Sequence, residues 1–178
     1  MDQTPRIVLI TGPPGAGKTS VSEALVARIE RSVLVDGDAF FRSVRGGSIP
    51  PWEPEADRQN GTVIRAIGAA ADQFAVGGYV VVVDGVIGPW FLDAFLDQVE
   101  HPVVYLILRP STDVAMGRAI ARDDPQLVDP EPIAHMYLAF SDLGEHERFV
   151  IDSTAMSIDE TTEAALQLIT GGELLVGS

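Results

Sequence analysis

Gly12-Pro13-Pro14-Gly15-Ala16-Gly17-Lys18-Thr19 has the spacing G-x-x-x-x-G-K-[ST] of a phosphate-binding loop. Glycines at 12, 15 and 17 let the backbone curl so that successive N–H groups face inward as an anion nest. The helix that follows adds the positive end of its dipole. Immediately upstream, Arg6-Ile7-Val8-Leu9-Ile10-Thr11 reads as a buried strand, and residues 19–29 read as a helix, which is the context such a loop needs. Lys18 is the only lysine of the chain; elsewhere arginine is used. An ammonium is a compact charge on a flexible stem, suited to reach the β- and γ-phosphates of a triphosphate, with the Thr19 hydroxyl placed to ligate Mg²⁺. Gly12, Pro13, Pro14, Gly15, Ala16, Gly17, Lys18, Thr19 and Ser20 are therefore the expected nucleotide-binding segment.

The rest of the chain repeats one pattern. Short β-branched runs at 7–10, 33–35, 80–83, 103–108 and 149–151 alternate with helical periodicity, the signature of a parallel α/β sheet covered on both faces. Helices are expected where caps and prolines open them: after Gly88-Pro89-Trp90, from Ser111-Thr112-Asp113 toward Asp123, from Pro130-Glu131-Pro132 to about Leu143, and from a capping box at Ser157-Ile158-Asp159-Glu160. A long helix is expected over 55–74 with Gly61 as its weak point, and a frayed tail after Gly171-Gly172. With 178 residues, no internal repeat and no low-complexity linker, the chain is expected to form one domain. Residues 45–54 break the pattern: three prolines and two glycines in ten residues exclude helix and interior strand. A long irregular connection carrying Trp52 is expected to be an acceptor-binding insertion, spanning about 42–60.

Composition sets the outer limits. The net charge of −14 leaves no basic face for a nucleic-acid backbone. There is no cysteine, no secretory leader pattern and no bilayer-length apolar run, so a cytoplasmic protein without membrane partners is expected, as monomer or homodimer.

Acidic residues cluster where strands end. Val80-Val81-Val82-Val83-Asp84-Gly85 closes the third strand with a carboxylate, the place for a group that orients Mg²⁺, against the plainer reading of a turn aspartate. Val33-Leu34-Val35-Asp36-Gly37-Asp38 closes the second. Residues two apart in an extended segment share a face, so Asp36 and Asp38 are expected to point together into the crevice, Asp36 toward the metal and Asp38 as base; a helix-capping role for Asp38 is the alternative. Arg118 and Arg122, four apart on a helix, could clamp the transferring phosphoryl group unless they are solvated surface charges. Asp152 and Thr154 lie where a nucleotide base could rest. Phe41, Arg42, Arg45, Trp52, Arg58 and Gly85 are acceptor-side candidates, and Phe40, Phe41, Trp52 and Trp90 could form an apolar wall, with core packing the fate of some. His101, His135 and His146 have no zinc-ligand spacing.

With these residues the chain resembles the kinase branch of the P-loop nucleotide hydrolases, the adenylate-kinase-like group that includes gluconate and shikimate kinases, chloramphenicol phosphotransferase and zeta toxins. The resemblance rests on the octet, on Val35-Asp36-Gly37-Asp38, on Asp84, and on Gly117-Arg118…Ala121-Arg122-Asp123, which is similar to the lid of chloramphenicol phosphotransferase. It implies a three-layer P-loop fold with a five-stranded parallel sheet in the order 2-3-1-4-5, and a short lid near 118–130. It also implies Mg·ATP as donor and an aspartate after the second strand, here Asp38, that meets an acceptor hydroxyl. The stretch 45–60 matches no acceptor pocket, so antibiotic, sugar or sugar-acid and nucleotide-sugar acceptors stay open. The competing class is an ATP-hydrolysing switch or nucleotide-binding module; a guanine-reading Asn-Lys-x-Asp is excluded, because Asn60 is the only asparagine and Lys18 the only lysine.

Overall fold

The computed structural model describes residues 7–120, 130–171 and 174–176. Its centre is a sheet whose strands are β1 (Ile7–Thr11), β2 (Ser32–Asp36), β3 (Val80–Asp84), β4 (Val103–Leu108), β5 (Val150–Ile151) and β6 (Leu175–Val176). The order is β2-β3-β1-β4-β5, all parallel, as expected. Every residue of β1 and β4 is buried, which is why these strands read as continuous apolar runs rather than alternating ones.

The helices are α1 (Lys18–Val26), α2 (Gly37–Ser43), α3 (Asp57–Val76), α4 (Pro89–Leu96), α5 (Thr112–Ile120), α6 (Pro130–Ala139) and α7 (Ile158–Gly171). α1 packs with α7 and α3 with α4, the two helix layers expected on the faces of a parallel sheet with right-handed crossovers. From β1 the chain moves to β2 on one side, and from β3 it jumps across β1 to β4. The carboxyl end of β1 is therefore the switch point where open α/β sheets bind ligands, and the glycine-rich octet leaves from it.

Three details differ from the sequence reading. First, α1 stops at Val26: the Arg28 and Ile29 N–H groups turn back to the Leu25 and Val26 carbonyls, at 3.0 and 3.2 Å, and Ser32 Oγ lies within 2.9 and 3.0 Å of the Val26 and Ile29 carbonyls, satisfying orphan groups of the helix end. Second, α3 runs unbroken through Gly61, which is buried. Third, the tail is not frayed at 174–176. β5 pairs only with Ile107 and Leu108, which leaves the first half of the β4 edge open, and β6 fills it antiparallel through Val103 and Val104. The capping box at α7 is formed: Glu160 N–H donates to Ser157 Oγ at 3.2 Å, and Glu160 Oε2 accepts from Ser157 N–H at 2.8 Å. No helix among the described residues is long and apolar enough to cross a membrane.

Candidate active site

The octet is held open by contacts that exclude side chains. Gly12, Gly15 and Gly17 all have positive φ, at 142°, 77° and 90°. A Cβ on Gly12 would lie 2.1 Å from the Leu108 carbonyl oxygen, and one on Gly15 2.0 Å from that of Ala115. The loop is thus wedged between the end of β4 and α5, and only glycine fits. Lys18 Nζ donates to the Gly12 and Pro13 carbonyls at 3.1 and 3.2 Å, so its ammonium hangs over the nest rather than pointing to solvent.

The neighbouring strand ends are fastened to each other. Ile87 N–H donates to the buried Thr11 hydroxyl and its carbonyl accepts from Tyr105 Oη, both at 2.9 Å, which fixes the segment leaving β3 between β1 and β4. Gly37 is pressed against the Asp84 carbonyl, where a Cβ would come within 2.8 Å, and against Gly85. Asp84 is buried and takes a hydrogen bond from the Thr19 hydroxyl. Burial pushes its carboxyl above the ordinary range; the Thr19 bond and the Lys18 charge oppose this, and the charges of Asp38 and Asp36 add to it.

Asp36 and Asp38 do not share an extended face. Asp36 Oδ1 accepts from Ala39 N–H at 3.1 Å, so the helix begins at Gly37 and Asp38 already lies in its first turn. The capping role weighed for Asp38 belongs to Asp36. Its other oxygen pairs with Arg42 Nη2 at 2.9 Å. Asp38, Phe41 and Arg42, spaced i, i+3, i+4, turn one face of α2 to a cavity of ≈ 400 Å³. Pro14, Gly15, Lys18, Thr19, Asp84 and Gly85 line the same cavity, as does Trp52. The irregular stretch that carries Trp52 is tied down by two adjacent amides of α3. Gln59 exchanges two hydrogen bonds with the backbone of Ile49, at 2.9 and 2.7 Å, and Asn60 Nδ2 donates to the Pro51 carbonyl at 2.8 Å.

Other expected site residues stand elsewhere. Asp36, Arg45, Arg58 and Arg118 are exposed and do not line the cavity, nor does Phe40, which packs against the core. Arg122 and most of the expected lid fall in 121–129, outside the described residues. Asp152 and Thr154 form a joint away from the cavity. Thr154 Oγ1 accepts from Ser111 N–H at 2.7 Å, and the Thr154 hydroxyl and N–H hold the Asp152 carboxyl below its usual range, with help from Arg109.

The cavity also recruits residues that sequence reasoning missed. Asn60 and Ile64 come from α3, Val86 and Phe91 from the segment after β3, and His135, Met136, Ala139 and Phe140 from α6 and its end, with Pro51 and Ala119. The i, i+4 spacing of 60 with 64 and of 135 with 139 was the available signal, but core helices carry the same spacing. α6 is brought here by Arg109, whose guanidinium forks onto Glu147 at 2.7 and 2.6 Å and donates to the Phe140 carbonyl at 2.9 Å. The Tyr137 hydroxyl adds a bond to the Pro110 carbonyl at 2.5 Å.

No curated protein sequence matches the chain. Several solved structures do. A sugar kinase from a Janibacter species superposes with a TM-score of 0.70 at 18% identity, covering 93% of this chain and 95% of that one. A gluconokinase from Sinorhizobium meliloti gives 0.70 at 21%, covering 94% and 93%. The tunicamycin resistance protein of Deinococcus radiodurans gives 0.67 at 19%, covering 98% and 99%. At such identities the likeness speaks for the P-loop fold. Residues 8–127, well over half of the 178, match the profile of a family described as an AAA domain, and the chain belongs to that family.

Proposed function

We propose that the protein is a kinase transferring the γ-phosphoryl group of ATP to a hydroxyl of a small molecule in the cytoplasm. One observation carries this reading: the phosphate-loop groups Lys18 and Thr19 share a single cavity with the carboxylate of Asp38 and an aromatic wall. A hydrolytic switch requires the first half of that cavity and has no use for the second. The kinase-named neighbours, which act on sugars or gluconate by their names, support the same class.

The donor set fits Mg²⁺. A buried carboxylate bonded to a hydroxyl, with its ionised form disfavoured by burial and by two further aspartates, is a site that a hard divalent cation relieves. No group of three or more His, Cys, Asp or Glu among the described residues forms a metal cage, in keeping with an ion that relies largely on phosphate oxygens and water. Thr19 and Asp84 would hold it, and when bound it supplies charge neutralisation on the phosphates. Asp36, committed to Arg42 and to the helix cap, is left to brace α2 rather than to ligate.

The chain's own groups then divide the work. The nest N–H groups bind the phosphates, and Lys18 exchanges the Gly12 and Pro13 carbonyls for phosphate oxygens. Asp38, in the first turn of α2 on the cavity wall, aligns the acceptor hydroxyl and takes its proton. Arg118 with Arg122 would close on the transferring group from a lid near 118–130, and Asp152 with Thr154 would flank the base. Arg45 and Arg58 would sit at the rim of an acceptor insertion, 42–60, within one kinase domain.

The test is ADP release from Mg·ATP in the presence of antibiotics, sugars, sugar acids and nucleotide sugars. Release that depends on an acceptor is expected; steady release indifferent to every acceptor would replace the kinase with a switch. Lys18→Ala should lower turnover by about 10²–10³. Asp38→Asn should lose on the order of 10²–10⁴ of the transfer rate while ATP still binds by calorimetry. A wild-type rate in that variant would remove Asp38 as the base.

A further inference from the structure

The half of the cavity beyond the phosphate loop has a composition of its own. Phe41, Trp52, Ile64, Trp90, Phe91 and Phe140 come from α2, the irregular stretch, α3, α4 and the end of α6, and all line it. Trp90 is the most telling. It is 51% exposed, an unusual state for the largest apolar side chain. It is nonetheless held in place: one edge rests on Phe140 at 5.1 Å and 63°, and its ring lies over Gly88, where a Cβ would fall 2.3 Å from it. A ring fixed on one side and uncovered on the other is a shelf for a second ring.

Charge points the same way. On the described wall the lysine and arginine side chains are those of Lys18, at the phosphate end, and Arg42, already paired with Asp36 at 2.9 Å. Asp38 and Asp84 are both acidic, and the chain carries a net charge of −14. An anionic acceptor would meet repulsion with no unengaged guanidinium among these residues to offset it. A polyol could bond only at the polar points of the lining, chiefly Asp38, His135 and the buried, unpartnered Oδ1 of Asn60; each further hydroxyl set against aromatic carbon loses its water without gaining a partner.

Resting on the kinase reading, we propose that the acceptor is a neutral alcohol whose hydroxyl is borne on an aromatic or comparably flat apolar ring system, stacked between Trp52 and Trp90. In the transfer the acceptor oxygen forms its bond to the γ-phosphorus as the bond from that phosphorus to the β-phosphate oxygen breaks. The hydroxyl proton passes to the Asp38 carboxylate, and ADP and a phosphate monoester leave. Against a wall made chiefly of rings, sugar acids and simple sugars should bind more weakly than such a ring alcohol.

Trp52 and Trp90 are the two tryptophans of the chain, so its tryptophan fluorescence reports on this wall without any need for turnover. The full-length protein is titrated with phenylpropanol, tetralinylmethanol, glucose and gluconate, and ADP release is followed in parallel with Mg·ATP. The two ring alcohols should change the emission saturably, with Kd at least tenfold below those of glucose and gluconate. Trp52→Ala should weaken ring-alcohol binding roughly tenfold, read from the Trp90 emission, with Mg·ATP affinity by calorimetry as the control for folding; Trp52→Phe should restore most of it. Equal or tighter binding of gluconate or glucose, or binding of none of the four, overturns the proposal. The two readings separate cleanly. Ring alcohols that bind but receive no phosphate uphold the assignment of the wall and remove the kinase. Phosphate transfer to gluconate or glucose by a protein that ignores ring alcohols keeps the kinase and removes this proposal.

Discussion

The two ends of the cavity are made of different material. The phosphate end is main chain: consecutive residues 12–19, three of them glycines at positive φ, pressed between β4 and α5 with no room for a methyl group at two of them. The acceptor end is side chain, assembled from α2, the irregular stretch, α3, α4 and α6, which lie far apart in sequence. A backbone nest is intolerant of change because no rotamer can relieve a clash with a carbonyl. A wall of rings from five segments can lose or exchange one ring and re-pack. On the kinase reading, the phosphate-handling part of the cavity is fixed by backbone geometry, and the part that would choose an acceptor is replaceable side chain.

The contrast breaks most visibly at Gly15. A methyl group there enters a φ of 77° and meets the Ala115 oxygen at 2.0 Å, so α5 must move or the loop must flip. Backbone strain and overpacking together should cost about 3 kcal/mol or more in Gly15→Ala. Denaturant unfolding should record that loss, and calorimetry should find no Mg·ATP binding even where the protein still folds. A Gly15→Ala protein with native stability and nucleotide affinity would show the nest to be softer than its contacts indicate.

Asp84 sharpens the comparison, because it sits at the seam and its two roles oppose each other. Its folded pKa is raised above the ordinary 3.8, so in that window the folded chain holds a proton that the unfolded chain has released. Stability therefore falls as pH rises from 3.8 through the folded value and stays lower at neutral pH. Asp84→Asn removes that cost and keeps an acceptor for the Thr19 hydroxyl. Without nucleotide, its stability at pH 7 should exceed the wild type by about 1 kcal/mol, while the advantage vanishes in acid. Mg²⁺-dependent turnover should drop by roughly 10². A variant less stable than wild type at pH 7 would mean that the carboxylate is better solvated than its burial implies.

The same contrast explains what the sequence discloses. The octet announces itself because its eight residues are adjacent and their spacing alone specifies the nest, and the strands announce themselves because β1 and β4 are buried throughout and β3 nearly so. Asp38 and Trp52 stand out for local reasons as well, one by a strand end and one by prolines. Asn60, Phe91, His135 and Phe140 carry no local mark; their place on the wall is decided by how α3, α4 and α6 dock, and for the end of α6 Arg109 contributes by binding Glu147 and the Phe140 carbonyl. The extended reading of Asp36 and Asp38 failed because a side-chain oxygen captured the Ala39 N–H and started a helix at Gly37, two residues earlier than a cap at Asp38 would have done. The short β6 was hidden for a similar reason: two residues become a strand because β5 leaves an edge for them.

A control for both ends lies on the scaffold. Asp72, in the last third of α3, takes hydrogen bonds from Glu100 N–H at 2.9 Å and His101 N–H at 3.3 Å, and its carboxylate meets His101 Nδ1 at 2.7 Å, tying α3 to the entry of β4. Burial pushes this carboxyl up, but the His101 ring and the two N–H groups outweigh it and hold it below 3.8. Here the unfolded chain takes up the proton first as pH falls. The contribution is thus full above 3.8 and is lost as pH drops through the folded value. Asp72→Asn should cost about 1 kcal/mol at pH 7, and the wild-type and variant curves should converge in acid as the native carboxyl protonates. Because Asp72 belongs to neither end of the cavity, Mg·ATP affinity and acceptor KM should be unchanged within twofold. A larger rise in acceptor KM alone would mean that α3 transmits its anchorage to Asn60 and Ile64, so that the side-chain wall depends on a scaffold contact that the backbone nest does not feel.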